Sequence, residues 1–400
     1  MYSMKLHHQI LIIGGGNAGI SVAAQLLNKN NKLDIAIIDP SENHYYQPAW
    51  TLVGGGIFDV NDTIKPESSV IPDGVTWIKE AVTEIQACGN TVITNNNQFG
   101  YDYLVVAPGI QLNWNEIKGL EETLGKNGVC SNYSYKIAPY TFECIKNTVS
   151  GKAIFTNPHT PVKCGGAPQK IMYLASDFFR KKGVLNNIQV ELWSGGTKLF
   201  GVKKYEDALK KVISRYRIKE HYFEKLVEID GPNKRAKFIG FGEKNKEVEN
   251  WINFEMIHVT PPQSAPNFIK NSELANTAGW VDVDKHTLQH VRFKNIFSLG
   301  DASSLPTGKT GAAIRKQAPV LVANLLHQIS NENLTANYNG YSSCPLVTGY
   351  GKLILAEFDY DNNPRETFPF NQAKERWSMF LMKKYLLPFL YWTQILKGKM

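Results

Sequence analysis

A strand, a glycine-rich turn and a helix follow one another near the start of the chain, in the run QILIIGGGNAGISVAAQLL (9–27). Gly14, Gly16 and Gly19 fit the pattern G-x-G-x-x-G. In that pattern the first glycine permits the turn, the second lets a pyrophosphate approach the backbone, and the third lets the helix pack closely on the strand. The N-terminus of the helix then faces the phosphates. This order predicts a Rossmann-like α/β unit that binds a dinucleotide.

An acidic residue closes the next predicted strand, LDIAIID (33–39). Asp39 lies about twenty residues after Gly19, where units of this kind bind a ribose 2′-hydroxyl. Because strand, turn, helix and acid come in this order, a dinucleotide fold is favoured over a glycine turn in an unrelated α/β protein.

Two later segments favour FAD over NAD as the dinucleotide. YDYLVVAPG (101–109) and NIFSLGDAS (295–303) each read as a strand that ends in a small-residue turn. Together with the N-terminal fingerprint they resemble the three FAD-binding segments of the glutathione-reductase-like flavoproteins. The resemblance implies that Asp301 binds the ribityl chain, a role compatible with a turn or N-cap acid. Lys309, just before a predicted helix at about 312–328, either stabilises a reduced anionic flavin or is a solvated lysine.

A second α/β repeat begins with the predicted strand GKAIFTN (151–157), and a helix follows from near Pro168. The turn between them, PHTPVKCGGAPQ (158–169), lacks the G-x-G-x-x-G pattern. The next predicted strand, IQVELWS (188–194), ends without an acid or arginine that could bind a ribose. NAD(P)H binding is therefore disfavoured here, and Cys164 stands where a nicotinamide site is expected.

Cys164 has the surroundings of a reactive thiol. It lies just before the predicted helix and near Lys163 and Lys170, and both the helix N-terminus and the lysine charges favour a thiolate. A thiolate beside a flavin can take part in two-electron chemistry. The alternative is a buried cysteine that packs as a small apolar side chain.

The composition is that of a globular protein of two or three domains, with 400 residues, 43% of them hydrophobic and 20% charged. We see no signal or transit peptide and no apolar run of about 18–20 residues, so we expect a cytosolic chain without a membrane span. The five cysteines contain no CxxC pair. This disfavours a zinc site and a disulfide scaffold, and no metal is expected.

More than half of the net charge of +8 comes from residues 371–400, which hold six basic residues and one acid. Nucleic-acid binding is not indicated, because this basic tail is apolar and carries no recognised motif. In the run 373–397, Trp377, Phe380 and Lys384 recur at helical spacing, and Pro388 should break or restart the helix. We predict two short amphipathic helices that lie in a membrane interface. The alternative is a helix packed on the core or on another subunit.

Five long segments resemble sulfide:quinone oxidoreductase, most closely its mitochondrial-type branch. They are PVKCGGAPQKIMYLASDFF (161–179), FGVKKYEDAL (200–209), HVTPPQSAP (258–266), GWVDVDKHTLQH (279–290) and YSSCPLVTGYGKLILAEFDY (341–360). The resemblance runs from about Ile10 to Trp392. It implies two Rossmann-like domains, non-covalent FAD, hydrogen sulfide as substrate and a membrane quinone as electron acceptor.

The resemblance also implies a redox pair, because Cys164 and Cys344 match the redox-active cysteines of this family. Sulfide would attack the bridge at Cys344, leave a persulfide there and release Cys164 as a thiolate against the flavin. Two electrons would pass to FAD, and the sulfur would leave as persulfide or polysulfide to a thiol, sulfite or polysulfide as the bridge reforms. Further family FAD-contact positions are occupied here by Asn17, Ala18, Asp39, Gln47, Val82 and Lys309.

Cys130 departs from the two-cysteine pattern. It is either a third redox cysteine, as in the bacterial type, or a passive thiol. Cys88 and Cys144 are interpreted as structural. In the tail, the candidates for a quinone pocket are Phe380, Phe389 and Tyr391.

The predicted domains are a discontinuous FAD-binding domain (1–112 and 290–335), a second Rossmann-like domain without a working NAD site (113–289), and a C-terminal region (336–400). The C-terminal region carries the second redox cysteine and the helices for membrane and quinone. We expect a peripheral (monotopic) protein, at the cytoplasmic face of the cell membrane, and leave homo-oligomerisation open.

Two other functions stay open at this point. A type II NADH:quinone dehydrogenase shares the architecture, but it needs a glycine fingerprint after Asn157 and has no use for Cys164 or Cys344. A non-catalytic flavin-binding sensor would report sulfide or persulfide through its disulfide. An iron-dependent persulfide dioxygenase is disfavoured because no His/Asp cluster stands at ligand spacing. Acid–base candidates, by composition alone, are His44, His159, His258 and Glu357.

Overall fold

The structure, a computed structural model, describes residues 6–241 and 247–400. Residues 1–5 and 242–246 belong to the predicted domains and lie outside the described residues. The first part of the chain forms β1 (His7–Ile13), α1 (Asn17–Lys29), β2 (Ile35–Ile38), β3 (Asn43–Tyr45), α2 (Trp50–Gly54), β4 (Ile64–Pro66), β5 (Val75–Ile78), β6 (Val82–Gln86), β7 (Thr91–Thr94) and β8 (Gln98–Val106).

These strands build the first sheet. Strands β5, β2, β1 and β8 are parallel neighbours, and a strand from much later in the chain, Ile296–Ser298, pairs with the other edge of β8. The antiparallel pair β6–β7 extends the sheet from the N-terminal end of β8. All four residues of β2 are buried, as expected for a parallel strand that is covered on both faces.

The middle of the chain forms a second unit. Its elements are β9 (Gln111–Leu112), α3 (Leu120–Thr123), β10 (Val129–Cys130), α4 (Ala138–Asn147), β11 (Gly151–Asn157), α5 (Ala167–Lys182), β12 (Ile188–Ser194), α6 (Lys203–Tyr216), β13 (Lys219–Tyr222), β14 (Lys225–Asp230), β15 (Arg235–Phe241), β16 (Glu247–Asn253), β17 (Met256–His258), β18 (Gln263–Ser264) and α7 (Asn267–Lys270). Strands β10, β17, β11, β12 and β13 form a parallel sheet in that order, and β14, β15 and β16 form an antiparallel one. The predicted α/β fold with two Rossmann-like units is confirmed.

One domain boundary differs from the prediction. The segment 265–288 was assigned to the second domain, but its apolar side chains are buried in the core of the first unit, among them Ile269, Leu274 and Leu288. Helix α7 lies against β6 of the first sheet. The chain therefore returns to the first unit near Ala265, before the predicted boundary at 289/290.

The last part of the chain forms β19 (Ile296–Ser298), α8 (Gly311–Ile329), β20 (Ser342–Gly349), β21 (Lys352–Phe358), α9 (Trp377–Leu381) and α10 (Leu387–Leu390). Strands β20 and β21 form an antiparallel hairpin that packs on α5. This contact buries Leu346 and Leu355 in the core of the second unit. The packing of the hairpin on α5 also positions the predicted redox pair, because β20 carries one of the two cysteines and the loop before α5 carries the other.

The tail is helical from Trp377 to Ile395, with π-type turns at Met382–Leu386 and Tyr391–Ile395 on either side of α10. Of the two outcomes predicted for Pro388, a break or a restart of the helix, the structure shows a restart, because proline occupies the first turn of α10, where no N–H of its own is required. Among residues 6–241 and 247–400, no helix has both the length and the apolar character to cross a membrane.

Candidate active site

The glycine turn between β1 and α1 leaves open space for a nucleotide. Gly14 has a φ of +102°, and a Cβ atom there would lie 2.3 Å from the Ala107 carbonyl oxygen. A Cβ atom at Gly19 would lie 1.9 Å from the Gly14 carbonyl oxygen, so the helix can approach the turn only without a side chain. At Gly16 no atom lies within 4 Å of such a Cβ. A pyrophosphate fits at this exposed backbone, and the residues present therefore suit an FAD cofactor.

Asp39 lies beside the same turn, where the Gly15 amide donates to its Oδ2 atom over 2.6 Å. Its own amide donates to the Ile78 carbonyl oxygen at 3.1 Å, which ties the end of β2 to the end of β5. Val82 begins β6 four residues after Ile78. The structure thus brings Asp39 to the glycine turn, whereas Val82 lies on β6, which joins the sheet through β7 and β8.

Asp301 and Lys309 meet at the end of β19. The ammonium group of Lys309 donates to the carbonyl oxygens of Asp301 (2.6 Å) and Ser303 (3.1 Å) and lies 3.9 Å from the centre of the Trp280 ring. Burial lowers the pKa of Lys309 to about 8 and raises that of Asp301. Asn17 and Ala18, at the start of α1, face this region, since a Cβ at Gly300 would touch the Ala18 methyl group at 3.4 Å.

The loop that carries Cys164 is hydrogen-bonded to the segment of the first unit that holds Lys309. The Cys164 amide donates to the Lys309 carbonyl oxygen at 2.8 Å, and Lys163 forms a parallel bridge with Lys309. The Lys163 ammonium group donates to Gln47 Oε1, and burial lowers its pKa to about 8. The backbone therefore places the predicted redox cysteine next to the predicted ribityl-binding segment.

Cys164 and Cys344 face each other with their sulfur atoms 3.8 Å apart. Cys344 is buried in the middle of β20, opposite Ala356. Cys164 has a φ of +53°, the left-handed conformation that costs a residue with a side chain roughly 1–2 kcal/mol. Such strained residues gather at functional sites.

Gly166 makes the close approach possible. A Cβ atom at this position would lie 2.6 Å from the Cys344 sulfur and 2.4 Å from Leu346 Cδ2. The Cys-Gly-Gly turn therefore presents bare backbone to the strand that carries the second cysteine.

A buried cation holds the pair in unequal protonation states. The ammonium group of Lys170 is 3.0 Å from the Cys164 sulfur, and its side chain is only 3% exposed. A hydrogen bond from Cys344, together with the charge of Lys170, holds the pKa of Cys164 well below its usual range, against the effect of burial. The same hydrogen bond and burial raise the pKa of Cys344. In the reduced pair, Cys164 is therefore the sulfur that loses its proton more readily.

Lys383 is a second buried cation, which sequence reasoning did not single out. It comes from the tail, is 4% exposed, and donates to the Pro48 carbonyl oxygen at 2.8 Å. Burial and the nearby charge of Lys170 lower its pKa to about 7, and the charges of Cys164 and Cys344 oppose that shift. The only signal in the sequence is a pair of lysines inside an apolar run.

Cys130 lies at the end of β10, fully buried, with its thiol 3.5 Å from the Ile257 carbonyl oxygen. Burial and then Cys144 raise its pKa. The structure brings Cys130 together with Cys144 of α4, and a redox role for Cys130 stays a prediction.

The three residues predicted for a quinone pocket lie in different surroundings. Phe380 is buried in the same apolar cluster as Cys344. Phe389 is 58% exposed. Tyr391 is buried against the first unit, and its hydroxyl oxygen lies 2.6 Å from His44 Nε2.

The acid–base candidates also lie in different environments. Burial lowers the pKa of His258 to about 3, so this ring stays neutral. Glu357 accepts hydrogen bonds from Thr367 and Gln372 in a buried network. His159 lies in the loop after β11, where its backbone would clash with a Cβ at Gly195, 2.7 Å away. This loop therefore closes on the end of β12, the crevice in which a second dinucleotide would bind.

Comparison with known proteins agrees with this geometry. The family model for pyridine nucleotide-disulphide oxidoreductases matches residues 8–139. A mitochondrial sulfide:quinone oxidoreductase of Dictyostelium discoideum is 49% identical, over 98% of this chain and 86% of that protein. The chain belongs to the sulfide:quinone oxidoreductase family. The mouse mitochondrial protein is 44% identical over 98% of the chain and 87% of its own length.

A crystal structure of the sulfide:quinone oxidoreductase from Aquifex aeolicus superimposes with a TM-score of 0.81 at 20% identity, over 99% of this chain and 92% of that one. At this identity the likeness shows the fold alone. As a member of the sulfide:quinone oxidoreductase family, the chain is an FAD-dependent oxidoreductase.

Proposed function

We propose that the protein oxidises hydrogen sulfide at Cys164 and Cys344 and passes two electrons through FAD to a membrane quinone. The observation that carries this proposal is the pair of sulfur atoms 3.8 Å apart beside the buried Lys170, on a loop that is bonded to the Lys309 backbone. A type II NADH:quinone dehydrogenase has no need of such a pair.

The chemistry begins with the two sulfurs joined as a disulfide, which requires them to close to about 2.05 Å. Hydrosulfide attacks Cys344, the sulfur–sulfur bond breaks, and Cys344 becomes a persulfide while Cys164 leaves as a thiolate. Lys170 stabilises that thiolate, which makes Cys164 the better leaving group. A thiol, sulfite or polysulfide then removes the outer sulfur, and the two cysteines lose two electrons as their bond reforms. FAD supplies the two-electron acceptor, and Lys309 is the cation placed to favour its reduced form.

The charge on Lys170 should set the pH dependence of this step. Replacement by methionine removes the ammonium group that lowers the pKa of Cys164, so this pKa should rise. At any pH below the raised pKa the thiolate fraction falls about tenfold for each pH unit, so we expect sulfide-dependent flavin reduction by Lys170→Met to be slowest at pH 6. The rate should recover as the pH increases. Stopped-flow flavin absorbance from pH 6 to 9 measures both effects.

Lys182→Met is the matched control, because Lys182 lies on the same helix but is exposed. Its pH profile should follow that of the unaltered protein. If the pH profile of Lys170→Met equals that of the control, the role assigned to Lys170 is contradicted.

We propose further that the tail holds the protein on a membrane surface, as a peripheral protein that takes its quinone from the bilayer. The exposed apolar side chains of the tail include Trp377, Tyr385, Leu386 and Phe389. Lys397 and Lys399 of the same tail are exposed and suit an anionic headgroup region. We propose that the tail contacts the cytoplasmic face of the cell membrane and leave homo-oligomerisation open.

A direct test separates this function from its two alternatives. Under anaerobic conditions, sulfide should bleach the flavin absorbance of the purified protein or raise a long-wavelength band, and added quinone should restore the oxidised spectrum. NADH should leave the spectrum unchanged, because the second unit lacks a nucleotide turn. Bleaching by NADH and not by sulfide would identify an NADH dehydrogenase, and bleaching by sulfide without reoxidation by quinone would identify a sensor.

A further inference from the structure

Buried polar side chains connect the C-terminal tail to the glycine turn. The Tyr391 hydroxyl group lies 2.6 Å from His44 Nε2. On the other side of the ring, Nδ1 lies 3.2 Å from both the Gly15 carbonyl oxygen and Glu67 Oε2. Because both of these groups are acceptors, Nδ1 carries the proton, and Nε2 accepts the hydrogen bond from Tyr391.

Glu67 ends this chain of contacts with an oxygen that has no partner. Its side chain is 2% exposed, and no atom of residues 6–241 and 247–400 forms a hydrogen bond with Oε1. A Cβ atom at Gly15 would lie 2.6 Å from this Oε1 and 3.2 Å from Asp39 Oδ2. A buried carboxyl oxygen without a partner is costly, so the position of Glu67 depends on the contact of its other oxygen, Oε2, with His44. The unpartnered Oε1 lies next to Asp39, at the residue between Gly14 and Gly16.

The tail also holds the helix that follows the glycine turn. Ser21, Gln25 and Asn28 of α1 donate to the backbone carbonyl oxygens of Ile395 (3.4 Å), Met400 (3.2 Å) and Lys397 (3.0 Å). Their spacing of four and then three residues places them on one face of α1. Leu396, fully buried, packs into the core of the first unit beside them. The tail therefore contacts α1 along its length and the glycine turn through Tyr391.

We infer that binding of FAD and docking of the C-terminal tail are coupled through Tyr391, His44 and Glu67. This rests on the proposal that FAD binds at the Gly14–Gly19 turn and Asp39. Glu67 and His44 are positioning residues. FAD bound at the turn orders the backbone whose Gly15 carbonyl oxygen contacts the His44 ring, and a docked Tyr391 fixes the same ring from its other side. Each event lowers the free-energy cost of the other, and such coupling is reciprocal.

The consequence concerns the order of assembly. The same tail carries Lys383 to the cysteine pair and exposes the apolar patch proposed for the membrane. Protein that has lost FAD would hold its tail loosely, so the quinone side of the enzyme would be complete only in the flavin-loaded form.

The first measurement is the rate at which the full-length holoprotein releases FAD on dilution, followed by recovery of flavin fluorescence. Tyr391→Phe removes only the hydroxyl group, and we expect FAD release about fivefold faster, as the loss of one buried hydrogen bond implies. Glu67→Gln should also accelerate release, since it alters the carboxyl group at the turn. Tyr101→Phe is the matched control, because this buried hydroxyl in the same core has no hydrogen-bond partner among the described residues.

The second measurement is hydrogen–deuterium exchange of residues 391–400 in flavin-loaded and flavin-free full-length protein. We expect at least severalfold faster exchange in the flavin-free form. FAD release equal to that of the control in both variants, or tail exchange that ignores the flavin, would falsify the coupling. Neither measurement uses sulfide or quinone, so a wrong substrate assignment leaves both results interpretable.

Discussion

Cys164→Ser and Cys344→Ser should each lower sulfide-dependent reduction of the flavin by on the order of 10³-fold or more, because each removes one half of the bond that sulfide must break. The two variants should differ in the oxidised protein. Cys344→Ser keeps the Lys170 contact at 3.0 Å and places a hydroxyl group where Cys344 donates its hydrogen bond, so Cys164 should remain a thiolate. A free thiolate titrated with a thiol reagent at pH 6 should therefore be present in Cys344→Ser. In Cys164→Ser the remaining Cys344 should react slowly, as burial raises its pKa. Stopped-flow absorbance and thiol titration measure these outcomes.

Cys88→Ser is the control for these variants, because Cys88 is exposed and contacts Glu273 of the first unit. It should keep full activity. Sulfide oxidation that survives in Cys344→Ser at the control rate contradicts the assigned pair and directs attention to another sulfur centre. Retained flavin in all three proteins shows that the fold is intact.

The elements around the glycine turn were predictable from sequence because their signals are local. The apolar run of β1, the glycines and the start of α1 follow within a few residues, and turn chemistry and periodicity fix their type. The same holds for the second unit, where the missing glycine pattern correctly marks the loop that carries Cys164. Family resemblance supplied Cys344, which lies 180 residues from its partner in the chain.

Contacts that depend on packing were not predictable. Lys383 and Lys384 are adjacent and identical in type, and only the helical phase across the π-type turn decides that Lys383 is buried. Tyr391 contacts His44, which lies 347 residues away in the chain, so no local sequence pattern could predict this contact. The segment 265–288 was placed in the wrong unit because sequence order does not tell which sheet a loop returns to. These errors concern tertiary partners and not local structure.

The exposed patch of the tail gives the second large effect. Leu386 and Phe389 are 47% and 58% exposed, so the double variant Leu386→Glu, Phe389→Glu should fold with little change in stability. We expect its affinity for anionic lipid vesicles to fall about 100-fold, because two apolar side chains of roughly 1.5 kcal/mol each no longer enter the interface. Cosedimentation with vesicles measures this directly. Sulfide-dependent reduction of a long-chain quinone in the vesicles should fall in parallel.

Reduction of a short, water-soluble quinone should persist in this variant, since Lys383 and Phe380 remain buried at the site. Deletion of residues 377–400 could not make this distinction, because it also removes Tyr391 and Leu396 from the core of the first unit. The matched control is Val149→Glu, Val291→Glu, which adds the same charge at two exposed apolar positions outside the tail. If the tail variant sediments with vesicles as fully as this control, the patch is not the membrane contact. If it loses the soluble quinone as well, Leu386 and Phe389 contribute to the quinone site itself and not only to anchoring.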